Sequence, residues 1–448
     1  MKKIMVLIMA MVFAGVCAPV ARAENLKEYK EKLPKWLELG GDIRHRYEWH
    51  ENFDLNDAID DDNGFNLWRT RLNVGIKPNS HLKFFYQFQD SRISHDSLTG
   101  SKSTYENWAD HRQLWGEIRD DELSGDVLGL TGIGLKVGRQ EFNYGSQRLI
   151  GIFGWSNVAQ TFDAAKLTLN FKDKNFSFDV FGGGKTPIKS PGEMDDFYSG
   201  DDNDRVIGYY AAYRGFKGIT IEPYVFNRDT QGKTVSFGQT GDGAVDDYTV
   251  GVRAAGHIGE TPWDFETDAA KQFGDSGSLD TDAQMFAGAV GYTFKHDWKP
   301  RLAFEYAYAS GDSDPSDSKR ETFDNLYPTN HSFYGYIDFA SLQNIHNYHF
   351  QLKASPMRKL QVQVDYHVFY LDTPKDSLYA ANRSIKRATS AGADDFVGTE
   401  LDLLTKYKAN DDLDFMIGYS HFFAGDFLRD TGPSDDADFF YIQSTLKF

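Results

Sequence analysis

Two short stretches pair arginines at a spacing of two: Arg44-His45-Arg46-Tyr47-Glu48 and Arg69-Thr70-Arg71. In an extended chain, side chains two apart point the same way. Each stretch would therefore set two guanidiniums on one face, with Glu48 beside the first pair. The planar fork of donors on a guanidinium matches the two oxygens of a carboxylate, so the chemistry on offer is recognition of an anion. Period-two spacing gathers further cations onto the same kind of face: Lys83, Lys136, Lys166, Arg253, Arg301, Lys353 and Lys406. Asp264, Glu266, Glu305, Asp365, Glu400 and Asp402 join them there. Two roles fit these residues. They form a basic track for an anionic solute, or cross-strand Arg–carboxylate pairs hold a wall together.

Bond-making chemistry has less support. A Ser–His nucleophile needs a base held by a third group, and no Gly-x-Ser-x-Gly elbow appears. The histidines are scattered, with His45, His81 and His257 near strand ends. Asp60-Asp61-Asp62-Asn63-Gly64 and Asp201-Asp202-Asn203-Asp204 could offer oxygens to Ca²⁺, but neither has EF-hand spacing with its closing Glu. Solvated acidic loops are the simpler account, and no cofactor is expected. No Cys-x-x-Cys-His is present to attach a c-type haem. The net charge of −18 argues against a nucleic-acid partner, which needs a basic footprint. Most of that acid is expected in external loops such as Asp54–Asp62, Asp195–Asp204 and Asp435–Asp438, apart from the paired arginines.

The elements that must position these side chains are β-strands. Leu39–His50 sets Ile43, His45, Tyr47 and Trp49 against Arg44, Arg46 and Glu48; Leu67–Ile76 sets Trp68, Leu72 and Val74 against Arg69, Arg71 and Asn73. His81–Ser91 alternates in the same way. Further strands are expected near Trp108–Arg119, Gly134–Gln140, Thr161–Phe171, Phe176–Gly184, Arg205–Arg214, Gly218–Arg228, Tyr248–His257, Trp263–Lys271 and Gln284–Phe294. Arg301–Ser310, His346–Ala354, Lys359–Leu371, Gly398–Lys408, Leu413–His421 and Asp438–Phe448 complete a set of about eighteen, an even number as a bacterial barrel requires. Long connectors (Asn52–Gly64, Thr186–Asp204, Asp229–Asp246, Gly311–Ile345, Asp372–Phe396, Gly425–Ala437) alternate with tight turns such as Lys77-Pro78-Asn79-Ser80. With both termini in the periplasm, every tight turn lands on that side, as in a membrane barrel. Asp120–Thr131 is a longer exception.

The two ends of the chain agree with this. Lys2 and Lys3, an apolar run from Ile4 to Val16, and Ala21-Arg22-Ala23 read as a cleaved secretory signal, Met1–Ala23. The run is too short for a spanning helix, which needs ~20 residues. Cys17 raises a lipoprotein alternative, opposed by the bulky Val16 before it. Residues 24–36 are a periplasmic lead-in, and 37–448 the barrel. A mean hydropathy of −0.53 suits a barrel whose lipid-facing and lumen-facing residues average out. The 24 Tyr and 35 Phe suit aromatic girdles at both interfaces. The last strand, ending on Phe448, resembles the assembly signal of outer-membrane barrels, with Ser444 smaller than usual.

A more specific resemblance lies in Val137-Gly138-Arg139-Gln140-Glu141, Gly145, Arg148-Leu149, Trp155-Ser156-Asn157-Val158 and Phe162-Asp163. Phe323-Asp324-Asn325-Leu326-Tyr327-Pro328-Thr329-Asn330-His331, Gly335 and Asp338 add a second segment. With the Arg-rich first strands, this resembles the alginate export family of outer-membrane barrels from about Leu37 to Phe448. The resemblance implies an eighteen-stranded monomeric barrel with an Arg-lined pore for an anionic polyuronate. Arg44, Arg46, Arg69, Arg71, Arg139 and Arg148 would be pore cations, with Glu48 and Asp163 as partners. Alternatively, the two motifs fold an inward loop and register the wall. Strict alternation does not place Arg139 on the face of Lys136, so a bulge or a loop position is needed.

The expected protein is an outer-membrane channel passing an anionic polysaccharide or oligosaccharide. It would sit among lipid and lipopolysaccharide, placed by the barrel-assembly machinery, and work beside a periplasmic scaffold and a synthase. A porin for small organic anions is the alternative. An outer-membrane enzyme or a structural or adhesin barrel is the alternative from another class.

Overall fold

Strands that alternate apolar and polar residues give a sheet two unlike faces, and its edges must pair, be covered or be closed. This chain closes its sheet. A computed structural model describes residues 33–95, 104–121, 129–171, 175–188, 204–230, 232 and 243–448. The expected signal Met1–Ala23, most of the lead-in, and the Asp201-Asp202-Asn203 run lie outside the described residues, as do residues 96–103, 122–128, 172–174, 189–200, 231 and 233–242.

Eighteen long strands make the wall. They are β1 (Leu37–Glu51), β2 (Asn63–Ile76), β3 (Leu82–Ser94), β4 (Asn107–Asp120), β5 (Leu130–Gln140), β6 (Phe162–Phe171), β7 (Phe176–Lys185), β8 (Arg205–Phe216) and β9 (Ile219–Asp229). β10 (Val245–His257), β11 (Trp263–Ser276), β12 (Leu279–Thr293) and β13 (Arg301–Ala309) follow. The short β14 (Lys319–Arg320) lies in a connector. β15 (Ile345–Met357) and β16 (Leu360–Tyr370) resume the wall; the short β17 (Leu378–Tyr379) and β18 (Ile385–Arg387) form a separate hairpin. β19 (Phe396–Lys408), β20 (Leu413–Ala424) and β21 (Ala437–Lys447) complete the set. Long neighbours pair antiparallel, and β1 pairs with β21 from Asp42↔Lys447 to Glu51↔Asp438. At this seam Gly41 and Phe448 exchange backbone hydrogen bonds of 2.9 and 3.1 Å. A Cβ at Gly41 would lie 2.8 Å from the Phe448 ring and 2.2 Å from the Arg71 carbonyl oxygen, so only glycine fits there.

The apolar side chains turn outward. Trp68 is 46 % exposed and Val137 52 %, with Leu72, Phe84, Leu302 and Phe350 similarly bare, while Arg44, Arg46 and Glu48 on the other face are buried. That inversion is stable only where lipid is the outer solvent. Tight turns at 77–81, 217–218, 258–262, 358–359 and 409–412 share the end that holds Leu37 and Phe448. One tight turn breaks the expected rule. β11 and β12 run on past Lys271 and start before Gln284, meeting in a two-residue turn, Gly277-Ser278, on the long-loop side. Their ends carry Gln272, Asp275, Asp280 and Asp282, polar residues that read as loop although they continue the ladder.

Two long connectors fold inward. Glu141–Thr161 buries Phe142, Leu149, Ile150 and Val158, and Ser310–Asn344 buries Phe323, Leu326, Tyr327, Tyr334 and Leu342. They are joined by backbone hydrogen bonds: Tyr327 N–H to Leu149 O at 2.8 Å, Gly151 N–H to Tyr327 O at 2.9 Å, and Thr329 N–H to Gln147 O at 3.0 Å. The connector Leu371–Asp395 caps them, with Ala381 N–H donating to Asp338 O at 3.0 Å. The apolar core of the protein therefore lies inside the barrel, where the inward connectors pack against apolar side chains of the wall strands such as Phe162, Phe181, Phe226 and Phe422.

Candidate functional site

The inner face of β1–β3 carries the paired arginines. In register, Arg44 faces Arg69, Asp42 faces Arg71, and Arg71 faces Gln89. The outermost of these arginines are committed to the first inward connector. Arg44 donates to Gly154 O (3.0 Å), Ser156 O (3.1 Å) and Asn157 Oδ1 (3.0 Å). Arg46, 1 % exposed, donates to Trp155 O at 2.8 Å and lies 3.7 Å over the Trp155 ring. Its Nε sits 2.5 Å from Glu48, which also meets His50 at 3.2 Å. The inner pair is less occupied. Arg69 donates to Asp42 at 3.0 Å and Arg71 to Gln89 at 2.7 Å. Arg69 Nε and Nη1 and Arg71 Nη2 meet no protein acceptor among the described residues. Further down, Lys83 lies 3.9 Å from Glu38 and 5.6 Å over the Trp115 ring.

Alternation alone misses Arg112. The β3–β4 register passes from Gln87↔Gln113 to Phe88↔His111 and skips Arg112. This bulge turns Arg112 and Gln113 inward together. Arg112 donates to Gln87 and to Glu141, both at 2.6 Å. Two adjacent polar residues in a strand were the only trace of it in the sequence.

The bulge expected at Arg139 is thus one strand away. At Arg139 itself the register is unbroken. Gly138 adopts φ +122°, and a Cβ there would lie 2.2 Å from Leu114 O. Arg139 sits opposite Asp163 and grips it at two points, 2.9 and 3.0 Å, both side chains nearly buried. It also donates to His111 O at 3.3 Å. β4 pairs with β5 only from Leu114 to Asp120, so this arginine bonds β4 beyond the point where the backbone ladder stops.

Most other cations are paired. Arg148 bridges Tyr334 OH (2.8 Å) and Glu305 (2.9 Å), tying both inward connectors to β13. Arg253 holds Glu222 and Glu266, and Arg301 holds Asp264 at two points (2.5 and 2.9 Å). Lys166 reaches Asp179 at 3.4 Å. Glu400 and Asp402 face inward as alternation requires, yet they are sealed, each 0 % exposed. The inward connector lies over them, with Ile337 N–H donating to Glu400 at 2.9 Å.

A cavity of about 780 Å³ opens at the long-loop end. Arg46, Glu48 and Trp155 line it together with Asp54, Asp60, Asp61 and Lys386. Lys386 donates to Phe53 O at 2.6 Å and lies 3.6 Å over the Phe339 ring. Burial, helped by the neighbouring Arg387, outweighs Asp61 and Asp54 and pulls its amine down to about 8. In the Asp60–Gly64 run, Asp61 Oδ2 accepts the Asp54 N–H at 2.8 Å and Asp60 Oδ1 the Asp62 N–H at 3.3 Å.

Comparison with known proteins agrees with this geometry. Similar solved structures include Pseudomonas aeruginosa OpdQ (12% identity, 93% of this chain and 99% of that one, TM-score 0.59). The outer membrane protein OprD of the same organism is another (12% identity, 92% and 93%, TM-score 0.58). A third is OpdK with vanillate, also from P. aeruginosa (11% identity, 92% and 99%, TM-score 0.57). No curated protein matches the chain. The alginate export family model matches residues 35–441, nearly the whole sequence. A closed eighteen-stranded wall with an arginine-rich inner face, matched over that span, is an outer-membrane channel, and the chain belongs to the alginate export family.

Proposed function

We propose that this channel passes anionic solutes along the inner face of β1–β4, acidic polysaccharide or oligosaccharide chains of the alginate type foremost. The observation that carries this reading is the contrast among cations. Arg253 and Arg301 are each held at two points by carboxylates. Arg71, by contrast, meets Gln89 and no carboxylate among the described residues, and Arg69 and Arg71 together keep three buried donors with no protein acceptor there. Guanidinium donors in a low-dielectric wall attract a carboxylate strongly and can pass it along a row. Arg44, Arg46 and Arg112 would extend the row, and Asp42, Glu48 and Glu141 would keep it from binding too tightly to release.

A second reading, uptake or release of small organic anions, is favoured by the joined inward connectors, which narrow the lumen beside the row. OpdK, a neighbour in fold, was solved with vanillate, a small carboxylate. Planar-bilayer recording separates the two. Anion selectivity that falls in an Arg69→Ala/Arg71→Ala variant, together with block by polyuronate, supports the polymer reading. The same fall with block only by small organic acids supports the second. Selectivity indifferent to both arginines sinks the arginine row.

A further inference from the structure

We propose that the channel rectifies, letting anions move outward more readily than inward, because its fixed charge changes sign along the axis. This rests on the reading of the barrel as an open anion channel.

The inner end is basic. Arg358, Lys359, Lys406 and Lys408 line a cavity of about 360 Å³ there, with Asp414 as the one carboxylate. Midway lie Arg69, Arg71 and Arg112, whose donors outnumber Asp42 and Glu141. The outer end is acidic. The connector 52–62 carries five aspartates and no lysine or arginine. It joins the connector that follows β20, since Asp57 N–H donates to Asp435 Oδ2 (2.9 Å) and Asp435 N–H to Leu55 O (3.1 Å). The acidic rim is therefore continuous over two loops. Hydrogen bonds from backbone N–H groups to Asp54, Asp60 and Asp61 shape the first of these loops. The junction lies in the outer cavity. Arg46 and Glu48 neutralise one another at its wall, Asp54, Asp60 and Asp61 stand above, and Lys386 is the lone cation among them.

Fixed charge decides which mobile ion carries current. Anions carry it past the guanidiniums, and cations carry it past the aspartates. With the outer compartment positive, anions run outward through the basic stretch while cations run inward through the rim. Both carriers converge on the junction, and conductance rises. The opposite polarity draws both away and depletes the junction. A carboxylate solute meets the same asymmetry: from within it first encounters guanidiniums, from outside it first encounters aspartates. Salt must weaken the effect, because the Debye length shrinks from ~10 Å at about 0.1 M to ~3 Å at about 1 M.

The test is the open-channel current of the full chain in a planar bilayer, with protein added from one side and fast voltage ramps that precede any gating. At about 0.1 M KCl we expect roughly twofold or larger asymmetry, greater with the outer side positive, fading towards symmetry at about 1 M. In Asp54→Asn/Asp57→Asn/Asp60→Asn/Asp61→Asn, currents should become symmetric at low salt. Asp54, Asp57 and Asp60 are exposed and Asp61 is half-buried. Asn retains the one oxygen through which Asp54, Asp60 and Asp61 each accept a backbone N–H, so the barrel should fold as before. Symmetric wild-type current at low salt overturns rectification and leaves the channel reading standing. Asymmetry that survives the Asn variant overturns its assigned origin, and with it the proposal. A silent bilayer overturns the channel reading as well.

Discussion

Asp324 offers the sharpest handle on the inward connectors. It is buried, and both of its oxygens are gripped: Arg228 Nη1 at 2.6 Å and Arg383 Nη1 at 3.1 Å. Arg228 belongs to the wall and Arg383 to the capping connector, so this carboxylate joins three separate elements. Burial alone pushes the carboxyl up, but Arg228 and Arg383 outweigh it and hold it well below the usual range. Losing one member of a buried charge network costs about 3–5 kcal/mol. Asp324→Asn keeps an acceptor, and Arg228 keeps its two-point grip on Asp204 (2.9 and 3.1 Å), which puts the loss near the lower end. About 3 kcal/mol is roughly a hundredfold shift in the balance between docked and undocked connector. Noisier and larger single-channel currents should follow, with faster proteolysis within Ser310–Asn344 in intact vesicles. Asp317→Asn, exposed in the same connector, should change neither. A carboxylate held this low loses its contribution only as pH falls through its own folded value. Wild-type currents should therefore stay quiet down to about pH 4, while the Asn variant is noisy throughout. Wild-type-like noise and proteolysis in Asp324→Asn would show that the charge network does not hold the connector.

Gly138→Ala forces a side chain into φ +122° and within 2.2 Å of Leu114 O. Strain of that kind costs about 1–3 kcal/mol before any clash, so the yield of heat-resistant folded barrel should drop; an unchanged yield would contradict it. Trp155 is sandwiched between Arg46 at 3.7 Å and His331 at 3.9 Å. Trp155→Ala should loosen the first inward connector and raise anion conductance while the barrel's thermal unfolding stays put; equal conductance would count against that pinning role. Lys386, with its amine pulled down to about 8, carries a penalty for being charged in its docked place. That penalty is relieved between about pH 8 and the ordinary lysine value of ~10.4, so docking should tighten and current noise fall across that window. Lys386→Met should remove this dependence.

The wall was legible because each strand repeats one simple rule. Ile43, His45 and Tyr47 against Arg44, Arg46 and Glu48 fix both a strand and its inward side, and eighteen such segments fix closure. Arg112 escaped that rule because a bulge reverses the phase in mid-strand. Glu400 and Asp402 obeyed it, but alternation reports a direction and not what lies in the way. What covers them is a connector, and connectors have no period to read. Phe323, Leu326, Tyr327, Tyr334, Ile337 and Leu342 crowd into one long loop, far more apolar surface than an aqueous rim would tolerate. That excess was the sign that the loop turns inward; which groups it would meet depended on contacts between segments far apart in sequence, such as Leu149 with Tyr327.

The short ladder between β4 and β5 gives the wall a tear line. Sheets resist shear in proportion to the hydrogen bonds loaded together, and these two strands share theirs only over the half from Leu114 to Asp120. Beyond that, Arg139 acts as a rivet, fastened to Asp163 on one side and to the His111 carbonyl on the other. A barrel squeezed by lateral membrane tension, or pulled apart in a force spectrometer, should part first along this line.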